Sequence, residues 1–382
     1  MKKLYFAMVA LIIASMILVA CGGGATEPPV ATEMPATEMP ATEMPATEAP
    51  TEAPTALKIG VVTDVGQLED KSFNQAAYEG GQAAAESMGA QFDVIVTQNI
   101  SDYKQNLQTF IDQGFNVIIT VGFLMGTDTT IAAKENPDVT FIGVDQGICV
   151  DAEGAPDPTF GCAGDAAALL PNYQGIQFAE EQAGYLAGIV AASISKSGTI
   201  GAVGGTNLPA VVAYNAGYVA GAKSVNPDIK TLYQETSPDP VKGFNDPATG
   251  KAIAQQFIGQ GADVLFQIAG LTGQGVLEAA CDANIYGIGV DVDQVETLPN
   301  LSKCIVTSAE KKLKDTVQAV VESVASGDFQ AGAVSYNAAS TPPAIGLSPY
   351  HDNESLITPE IQAKIDDAMA AMASGELKPP RE

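Results

Sequence analysis

The strongest constraint on the fold is an alternation of short β-branched runs with alanine-rich amphipathic stretches, which runs through the chain twice from residue 57 onward. Strand-like runs fall at 58–63, 92–97, 117–121 and 140–144, and again at 199–203, 230–234, 264–268 and 286–290. Helical stretches separate them, most clearly at 73–88, 178–195, 209–224, 248–260, 273–282 and 309–326. This order predicts parallel sheets with helices on both faces. Residues 57–382 exceed what one core usually supports, so we expect two doubly wound α/β lobes.

Three of the predicted strands end in an aspartate. Asp64 follows the first strand, Asp145 the fourth, and Asp291 the last. One such aspartate is often only a helix cap or a turn residue. Ligands in open α/β sheets, however, bind beyond the carboxyl ends of strands. Three aspartates at equivalent edges of two lobes therefore indicate a cleft lined with acceptors, which suits the hydroxyls of a sugar or the hydroxyls and N–H groups of a nucleoside.

The sequence offers little support for an enzyme. The glycine-rich segment 269–275 lacks the Gly-Lys-Ser/Thr ending of a phosphate-binding loop, so we interpret it as a place where backbone approaches a ligand. No Gly-x-Ser-x-Gly motif occurs, and the single histidine, His351, lies in a proline-flanked loop, which argues against a Ser-His-Asp triad. Paired carboxylates could still serve a glycosidase, which is the main enzymatic alternative.

The first twenty residues have the pattern of a lipoprotein signal peptide. Lys2 and Lys3 precede an uncharged apolar run that ends at Cys21 in the sequence LVAC. The run has the length of a signal peptide and is short for a transmembrane span. We therefore expect residues 1–20 to be removed and Cys21 to be lipidated. A plain secretory peptide, or a membrane helix with a chance cysteine, is the alternative.

Residues 21–56 are predicted to form a disordered stalk. The sequence Ala-Thr-Glu-Met-Pro repeats three times over residues 31–45 and then decays into Ala-Thr-Glu-Ala-Pro. Proline at every fifth position removes amide donors and blocks both helix and sheet, and the segment has almost nothing to bury. At about 3 Å per residue in polyproline II, it would reach on the order of 100 Å. Such a stalk would let a globular domain move above a membrane.

The charge of the chain restricts its ligands. The formal net charge is −27. Such a surface repels phosphate backbones and anionic lipid headgroups, which makes nucleic-acid binding unfavourable. Nucleotides are also disfavoured, and a neutral or cationic ligand fits better.

The four cysteines after Cys21 are predicted to form two local disulfides. Cys149 and Cys162 flank a loop rich in glycine and proline, and Cys281 and Cys304 flank a strand and a turn. An even number of cysteines in an exported chain is typical of disulfides. A metal site is the alternative, but no Cys-x-x-Cys occurs, and zinc sites need closer clusters of ligands.

Several segments resemble the signature of the basic membrane protein family, which includes the purine nucleoside receptor lipoproteins of ABC importers. They are TDVG at 63–66, DKSFNQAAYEG at 70–80, AAKENPDVTFIGVD at 132–145, AGYLAG at 183–188, GFNDP at 243–247 and IGVDVDQ at 288–294. The resemblance extends over residues 57–327. The extra cysteines and the insertion at 149–162 depart from the better-known members and could alter the rim of the cleft.

The resemblance implies a type I periplasmic-binding-protein fold, in which a three-strand hinge joins the two lobes. Placed on this sequence, lobe one would comprise residues 57–176 and 303–327. Lobe two would comprise residues 177–302 and 328–382.

The resemblance also implies how a base would be bound. In the nucleoside receptors two phenylalanines sandwich the base, and these match Phe73 and Phe244. Polar contacts to the base match Asp64 and Asp145, and some members carry asparagine at the first of these positions. Asn74, beside Phe73 in the matching segment, is a further expected ligand contact.

The ribose would be held by an aspartate, a lysine and a glycine. The matching positions are Asp291, Lys311 and Gly270, and Lys312 stands beside the expected lysine. Physical chemistry agrees with this assignment, because a buried carboxylate needs a cation nearby and Lys311 would supply it.

The expected function is that of an extracytoplasmic solute-binding lipoprotein of an ABC importer, with purine nucleosides preferred. Its partners would be the permease and ATPase subunits and the membrane that holds the lipid anchor. We expect a monomer without cofactor, metal or nucleic acid. A protein that binds a free sugar or a sugar-like signal is the closest alternative, and an adhesin or a sensor without transport is another.

Overall fold

The computed structural model describes residues 57–382. The predicted signal peptide, the lipidation at Cys21 and the predicted stalk lie outside this range. Within it, none of the helices combines the length and apolar character that a bilayer crossing requires.

The described residues alternate strands with helices, as the sequence pattern predicts. The strands, in chain order, are β1 (Lys58–Val62), β2 (Gln91–Ile95), β3 (Val117–Val121), β4 (Thr140–Val144), β5 (Tyr173–Phe178), β6 (Thr199–Gly204), β7 (Lys230–Glu235), β8 (Val264–Ile268), β9 (Tyr286–Asp291), β10 (Ile305–Lys311), β11 (Gly332–Tyr336) and β12 (Ile345–Leu347). The helices are α1 (Phe73–Met88), α2 (Tyr103–Asp112), α3 (Gly126–Glu135), α4 (Ala166–Leu169), α5 (Glu180–Ile194), α6 (Pro209–Val225), α7 (Pro240–Asn245), α8 (Pro247–Gly259), α9 (Gly270–Asp282), α10 (Gln294–Thr297), α11 (Leu313–Ser326) and α12 (Pro359–Ser374).

The strands form two six-stranded sheets, one in each lobe. The order in lobe one is β11-β5-β4-β3-β1-β2, and the order in lobe two is β12-β10-β9-β8-β6-β7. Neighbouring strands run parallel except β12, which is antiparallel to β10. The central strands β3 and β8 are buried along their whole length, as expected for parallel strands covered on both faces. The predicted fold of two doubly wound lobes is confirmed.

The chain crosses between the lobes three times. The first crossing follows β5, where Phe178 ends a lobe-one strand and Glu180 begins α5 in lobe two. The second follows β10, whose last residue is Lys311, and leads to α11, which packs on α1 of lobe one. The third lies between β11 and β12. These crossings are the hinge of the molecule.

Two of the lobe boundaries expected from the sequence are wrong. The sequence predicts residues 303–311 in lobe one, but β10 pairs with β9 in the sheet of lobe two. It predicts residues 328–336 in lobe two, but β11 pairs with β5 in lobe one. The helix predicted to begin at 309 begins at Leu313, because the preceding residues are a hinge strand whose pairing partners are distant in sequence.

Helices α5 and α6 of lobe two pack with their backbones in contact. A Cβ added at Gly217 would lie 2.0 Å from the backbone oxygen of Glu181, and one at Gly184 would lie 2.2 Å from that of Tyr214. Only glycine permits such a close approach. This packing fixes the start of α5, and therefore Glu180, against the rest of lobe two.

The structure joins the cysteines in the two pairs expected from the sequence, Cys149 with Cys162 and Cys281 with Cys304. Over residues 57–382, no group of three or more histidine, cysteine, aspartate or glutamate side chains is arranged to hold a metal ion. The disulfide between Cys149 and Cys162 closes the loop that follows β4 in lobe one.

Candidate ligand-binding cleft

A cleft between the lobes opens at the carboxyl ends of both sheets. A cavity of about 90 Å³ lies within it. Its walls include every ligand-binding residue expected from the sequence, namely Asp64, Phe73, Asn74, Asp145, Phe244, Gly270, Asp291 and Lys311. The structure therefore brings these residues together in one cavity.

Two aromatic side chains reach the cleft from opposite lobes. Phe73 begins α1 of lobe one and Phe244 lies near the end of α7 of lobe two, and both are half-buried. A Cβ added at Gly205 would come within 2.3 Å of the Phe244 ring, so this glycine provides the space in which the ring lies. A further glycine, Gly270, begins α9 with a φ of 52°, a conformation that favours glycine.

A buried group of charges, which we call the Lys311 cluster, joins the lobes at the hinge. It consists of Lys311, Asp145, Asp291 and Glu180. The Lys311 ammonium nitrogen lies 2.6 Å from Asp145 Oδ2, 3.7 Å from Asp291 Oδ1 and 3.8 Å from Glu180 Oε1. Burial alone would lower the pKa of Lys311, but the three carboxylates raise it above its ordinary value. The lysine is therefore charged at any working pH.

The expected partner of Lys311 is Asp291, but the shortest contact of its ammonium group is with Asp145. The ammonium also lies 4.7 Å from the centroid of the Phe73 ring, within the range of a cation–π contact. Oδ1 of Asp145 is buried and has no hydrogen-bond partner among the described residues. Asp145 therefore offers one free acceptor oxygen while its other oxygen holds the lysine.

Asp145 and Asp291 end their strands in the same way. Each follows a Gly-Val pair, and their φ angles are 56° and 66°, in the left-handed region that aspartate tolerates better than most residues. A buried glutamine supports each sheet edge. Gln146 donates to the backbone oxygen of Gly122 at 2.9 Å, and Oε1 of Gln294 accepts from the backbone N–H of Val290 at 3.1 Å. The two lobes thus share the same local arrangement, an aspartate at the end of a strand followed by a buried glutamine that supports the sheet edge.

Asp291 is also bound by a residue of the opposite lobe. Ser72 Oγ donates a hydrogen bond of 2.7 Å to Asp291 Oδ2. Burial raises the pKa of Asp291, and the Lys311 charge and the Ser72 hydrogen bond partly offset that rise. The backbone oxygen of Lys71 accepts from Thr297 Oγ1 at 3.2 Å, so the segment before α1 is held by lobe two.

Asp64 has uncharged partners. Oδ1 of Asp64 accepts a short hydrogen bond from the Tyr103 hydroxyl and a bond of 2.7 Å from the Val65 N–H. Burial raises the pKa of Asp64 to about 6, although both hydrogen bonds act to lower it. We call Asp64 and Tyr103 the Asp64 pair.

Asn74 lines the cleft, but the structure gives its amide internal partners. Its Oδ1 accepts from the Asp64 N–H at 3.1 Å, and its Nδ2 donates to Asp70 Oδ2 at 3.2 Å. Asp70 in turn accepts from the N–H groups of Ser72 and Asn74. In this arrangement Asn74 holds the loop that carries Asp64.

Sequence reasoning missed several residues that build the site. Glu180 is buried at the first hinge crossing, and Arg381 Nη2 lies 2.9 Å from its Oε2. Burial and Asp145 raise the pKa of Glu180 to about 7, against the opposing effect of Lys311 and Arg381. Tyr214 lines the cleft and donates to the backbone oxygen of Ala309 at 3.2 Å. The only sequence signal for Glu180 is its place three residues before the AGYLAG segment.

Comparison with known proteins agrees with this architecture. Residues 57–372 match the family described as ABC transporter substrate-binding protein PnrA-like. The chain is 31% identical to the ABC transporter nucleoside-binding protein BmpA of Lactococcus lactis subsp. cremoris, over 85% of this chain and 90% of that protein. It is 32% identical to basic membrane protein B of Borreliella burgdorferi, over 68% of this chain and 71% of that protein.

A solved structure shares the fold. An ABC transporter solute-binding protein from Aeropyrum pernix K1 superposes with a TM-score of 0.71 at 23% identity, over 85% of this chain and 94% of that one. The relatives are solute-binding proteins and not enzymes. This chain belongs to the PnrA-like family of ABC transporter substrate-binding proteins, the family that contains the basic membrane proteins.

Proposed function

We propose that this protein captures nucleosides, with purines preferred, and delivers them to an ABC importer. The observation that carries the proposal is the meeting of two kinds of group in one cleft. Phe73 and Phe244 offer ring faces from opposite lobes, and the Lys311 cluster offers carboxylate oxygens beside a cation. The similarity to a nucleoside-binding protein of Lactococcus lactis supports it.

The aromatic residues account for recognition of a base. A planar base between two phenylalanine rings gains stacking and burial on both faces. A free sugar offers less apolar area to two rings. This difference favours a nucleoside over the alternative of a sugar ligand.

Asp291 and Lys311 account for recognition of a ribose. A carboxylate can accept hydrogen bonds from two adjacent hydroxyls at once, and we assign that role to Asp291. Lys311 and Gly270 would assist it, while Asp64 and Asp145 would contact the base. Burial in a closed cleft strengthens each of these polar contacts because water is excluded.

The charge of the cluster disfavours a phosphate. Three carboxylates surround one lysine, and the second cation, Arg381, contacts Glu180 on its other oxygen. A nucleotide would place its own negative charge against this surplus of carboxylates. A neutral nucleoside avoids that repulsion.

The cellular setting follows from the proposed lipid anchor. Lipidation of Cys21 would hold the protein on the extracytoplasmic face of the cell membrane, and the segment 22–56 would act as its stalk. Closure of the lobes around a nucleoside would then report occupancy to the permease and ATPase subunits.

Native mass spectrometry of the purified protein tests the proposal. We expect a retained ligand whose mass corresponds to a purine nucleoside, released on denaturation in a ratio of one per chain. A retained pentose, with no binding of added nucleosides, would replace the proposal with the sugar alternative. Release of a free base from added nucleosides would indicate an enzyme.

A further inference from the structure

A buried tyrosine that does not line the cleft contacts one of its acidic residues. Tyr103 is 0% exposed at the start of α2. Its hydroxyl donates to Oδ1 of Asp64 in a short hydrogen bond, and the Val65 N–H donates to the same oxygen at 2.7 Å. Both bonds therefore hold one oxygen of a carboxylate that forms part of the cleft wall.

The other oxygen of Asp64 is directed to the end of β3. A Cβ added at Gly122 would lie 2.0 Å from Asp64 Oδ2, and Gly122 is itself a residue of the cleft wall. Any side chain at residue 122 would displace this oxygen. The position of Oδ2 is thus defined by Tyr103 on one side and by the missing side chain of Gly122 on the other.

We propose that Tyr103 is a positioning residue for base recognition, and that it holds Asp64 with a single oxygen, Oδ2, available to accept an N–H group of the base. This inference rests on the proposed nucleoside function and names the chemical group that the Asp64 end of the cleft selects. Ring N–H and exocyclic amino groups are the donors that a base can offer to it.

Burial raises the pKa of both Asp64 and Tyr103, and the groups around the pair modify these shifts. Asp145 faces Asp64 from the end of β4 and favours its neutral form, while the Tyr103 hydroxyl favours its ionised form. Asp128 faces Tyr103 from α3, and Lys104 faces Asp128. Burial and the Asp64 charge raise the pKa of Tyr103 far above its ordinary value, so the hydroxyl remains a donor.

The capacity of Asp64 to accept a hydrogen bond from a base depends on pH. The pKa of Asp64 is about 6 in the folded protein, so Asp64 is an acceptor at neutral pH and loses that capacity below pH 6. Removing the Tyr103 hydroxyl removes a group that lowers this pKa, so Asp64 would become protonated at higher pH. Asp70, with a pKa also about 6, and Glu180, with a pKa about 7, titrate in the same range. The test must therefore compare variants with the parent protein.

Four variants form the test, Tyr103→Phe, Asp64→Asn, the double variant, and Tyr173→Phe as a matched control. Tyr173 is also 0% exposed in lobe one, and its hydroxyl donates a short bond to Gln146, but it does not line the cleft. Calorimetry measures affinity for inosine, guanosine and adenosine between pH 5.5 and 8.5. Carbon-13 NMR of ligand-free protein labelled at the aspartate carboxyl carbons measures the titration of Asp64. The Asp64 signal is identified as the one that is lost in Asp64→Asn.

We expect Tyr103→Phe to bind the preferred nucleoside about fivefold more weakly at pH 7, with the deficit shrinking toward pH 8.5 and the Asp64 signal titrating at higher pH. In the Asp64→Asn background, Tyr103→Phe should no longer shift the pH profile. Tyr173→Phe should keep the parent profile. An unchanged Asp64 titration in Tyr103→Phe, or an equal loss at every pH, would overturn the inference.

The two proposals can fail separately. If the parent protein binds none of the nucleosides, the proposed function and the assignment of a base N–H to Asp64 both fail. The NMR titration would still show whether Tyr103 controls Asp64. If nucleosides bind and the Asp64 titration does not respond to Tyr103→Phe, only the inference about Tyr103 fails.

Discussion

The buried carboxylates in and beside the cleft are stabilised in two different ways. The Asp64 pair relies on a hydroxyl and a backbone N–H, and the pKa of Asp64 is raised to about 6. The Lys311 cluster relies on a cation, whose nitrogen lies 2.6 Å from Asp145 and 3.7 Å from Asp291. All three aspartates follow or end parallel strands at the same edge of their sheets. The position of a carboxylate in the fold is therefore not enough to fix its charge, which depends on the partner.

The difference indicates that the two sets of carboxylates have different roles in binding. A carboxylate beside the fixed charge of Lys311, such as Asp291, suits strong contacts to the hydroxyls of a ribose. Asp64 has no counter-charge to offset its burial, so its contacts depend on pH near its pKa of about 6. Changes in the Lys311 cluster should therefore have larger effects on affinity than changes elsewhere.

The largest effect is expected from Lys311→Met. The substitution leaves Asp145, Asp291 and Glu180 buried together without their shared cation. We expect affinity for the preferred nucleoside to fall about a thousandfold, and stability at pH 7 to fall by about 3–5 kcal/mol. The stability deficit should shrink at acid pH, because the carboxylates can then take up protons. Calorimetry and urea unfolding measure the two effects.

The matched control is Lys312→Met. Lys312 is the adjacent residue, its side chain is 41% exposed, and it pairs with Glu310. Neither Lys312 nor Glu310 lines the cleft, so binding should remain close to that of the parent protein. Comparable losses of affinity in both variants would contradict a ligand-binding role specific to Lys311.

The second largest effect is expected from Asp291→Ala. Losing charged hydrogen bonds to a ribose costs about 1.5–3 kcal/mol each, so affinity should fall about a hundredfold or more. The preference for ribonucleosides over 2′-deoxynucleosides should also be lost. Asp145→Ala should weaken binding as well, because Lys311 loses its nearest partner, but it should keep that preference and change the ranking of bases. Retention of the ribose preference in Asp291→Ala would reverse the assignment.

A smaller effect that depends on pH is expected from Arg381→Gln. The pKa of Glu180 in the folded protein is about 7, above its ordinary value of 4.5, and removing Arg381 raises it further. The free-energy cost of ionising Glu180 in the folded state is therefore larger in the variant. This difference is present only at pH values above the pKa of Glu180 in the parent protein. We expect a stability deficit of about 1 kcal/mol at pH 8.5 that vanishes below pH 6. Arg381→Lys keeps the charge and should show a smaller deficit, whereas a deficit independent of pH would contradict the role of Glu180.

The smallest effect on binding is expected from removing the disulfide between Cys149 and Cys162. The double substitution to serine should lower stability by about 2–3 kcal/mol, because the short loop is no longer closed in the unfolded chain. Affinity should remain unchanged, since neither cysteine lines the cleft. Calorimetry on the variant checks this directly. A marked loss of affinity would show that the loop after Asp145 controls the Lys311 cluster.

The sequence was sufficient to predict the two lobes and the three aspartates of the cleft, because both depend on local patterns. Side chains repeat every two residues along a strand and every 3.6 residues along a helix, and both periods can be detected in a short stretch of sequence. The strand-end positions of Asp64, Asp145 and Asp291 follow from that alternation. The resemblance to the family then supplied Phe73 and Phe244, which local patterns alone do not distinguish from core residues.

The remaining features depend on contacts between distant parts of the chain. Strands β10 and β11 belong to the hinge, and their lobe is decided by pairing with strands that local sequence cannot identify. Ser72 contacts Asp291 across 219 residues, and Arg381 contacts Glu180 across 201. Tyr103 belongs to none of the motifs identified in the sequence. Its hydrogen bond to Asp64 depends on how α2 packs on the sheet.

Calorimetric titration of the parent protein with inosine, 2′-deoxyinosine and D-ribose at pH 7 tests the central claim most directly. The claim is that the cleft recognises a base and a ribose together. We predict that inosine binds with one site per chain, that 2′-deoxyinosine binds at least about tenfold more weakly, and that D-ribose gives no measurable heat. Heat from D-ribose with none from inosine would contradict this claim and would indicate a sugar-binding protein.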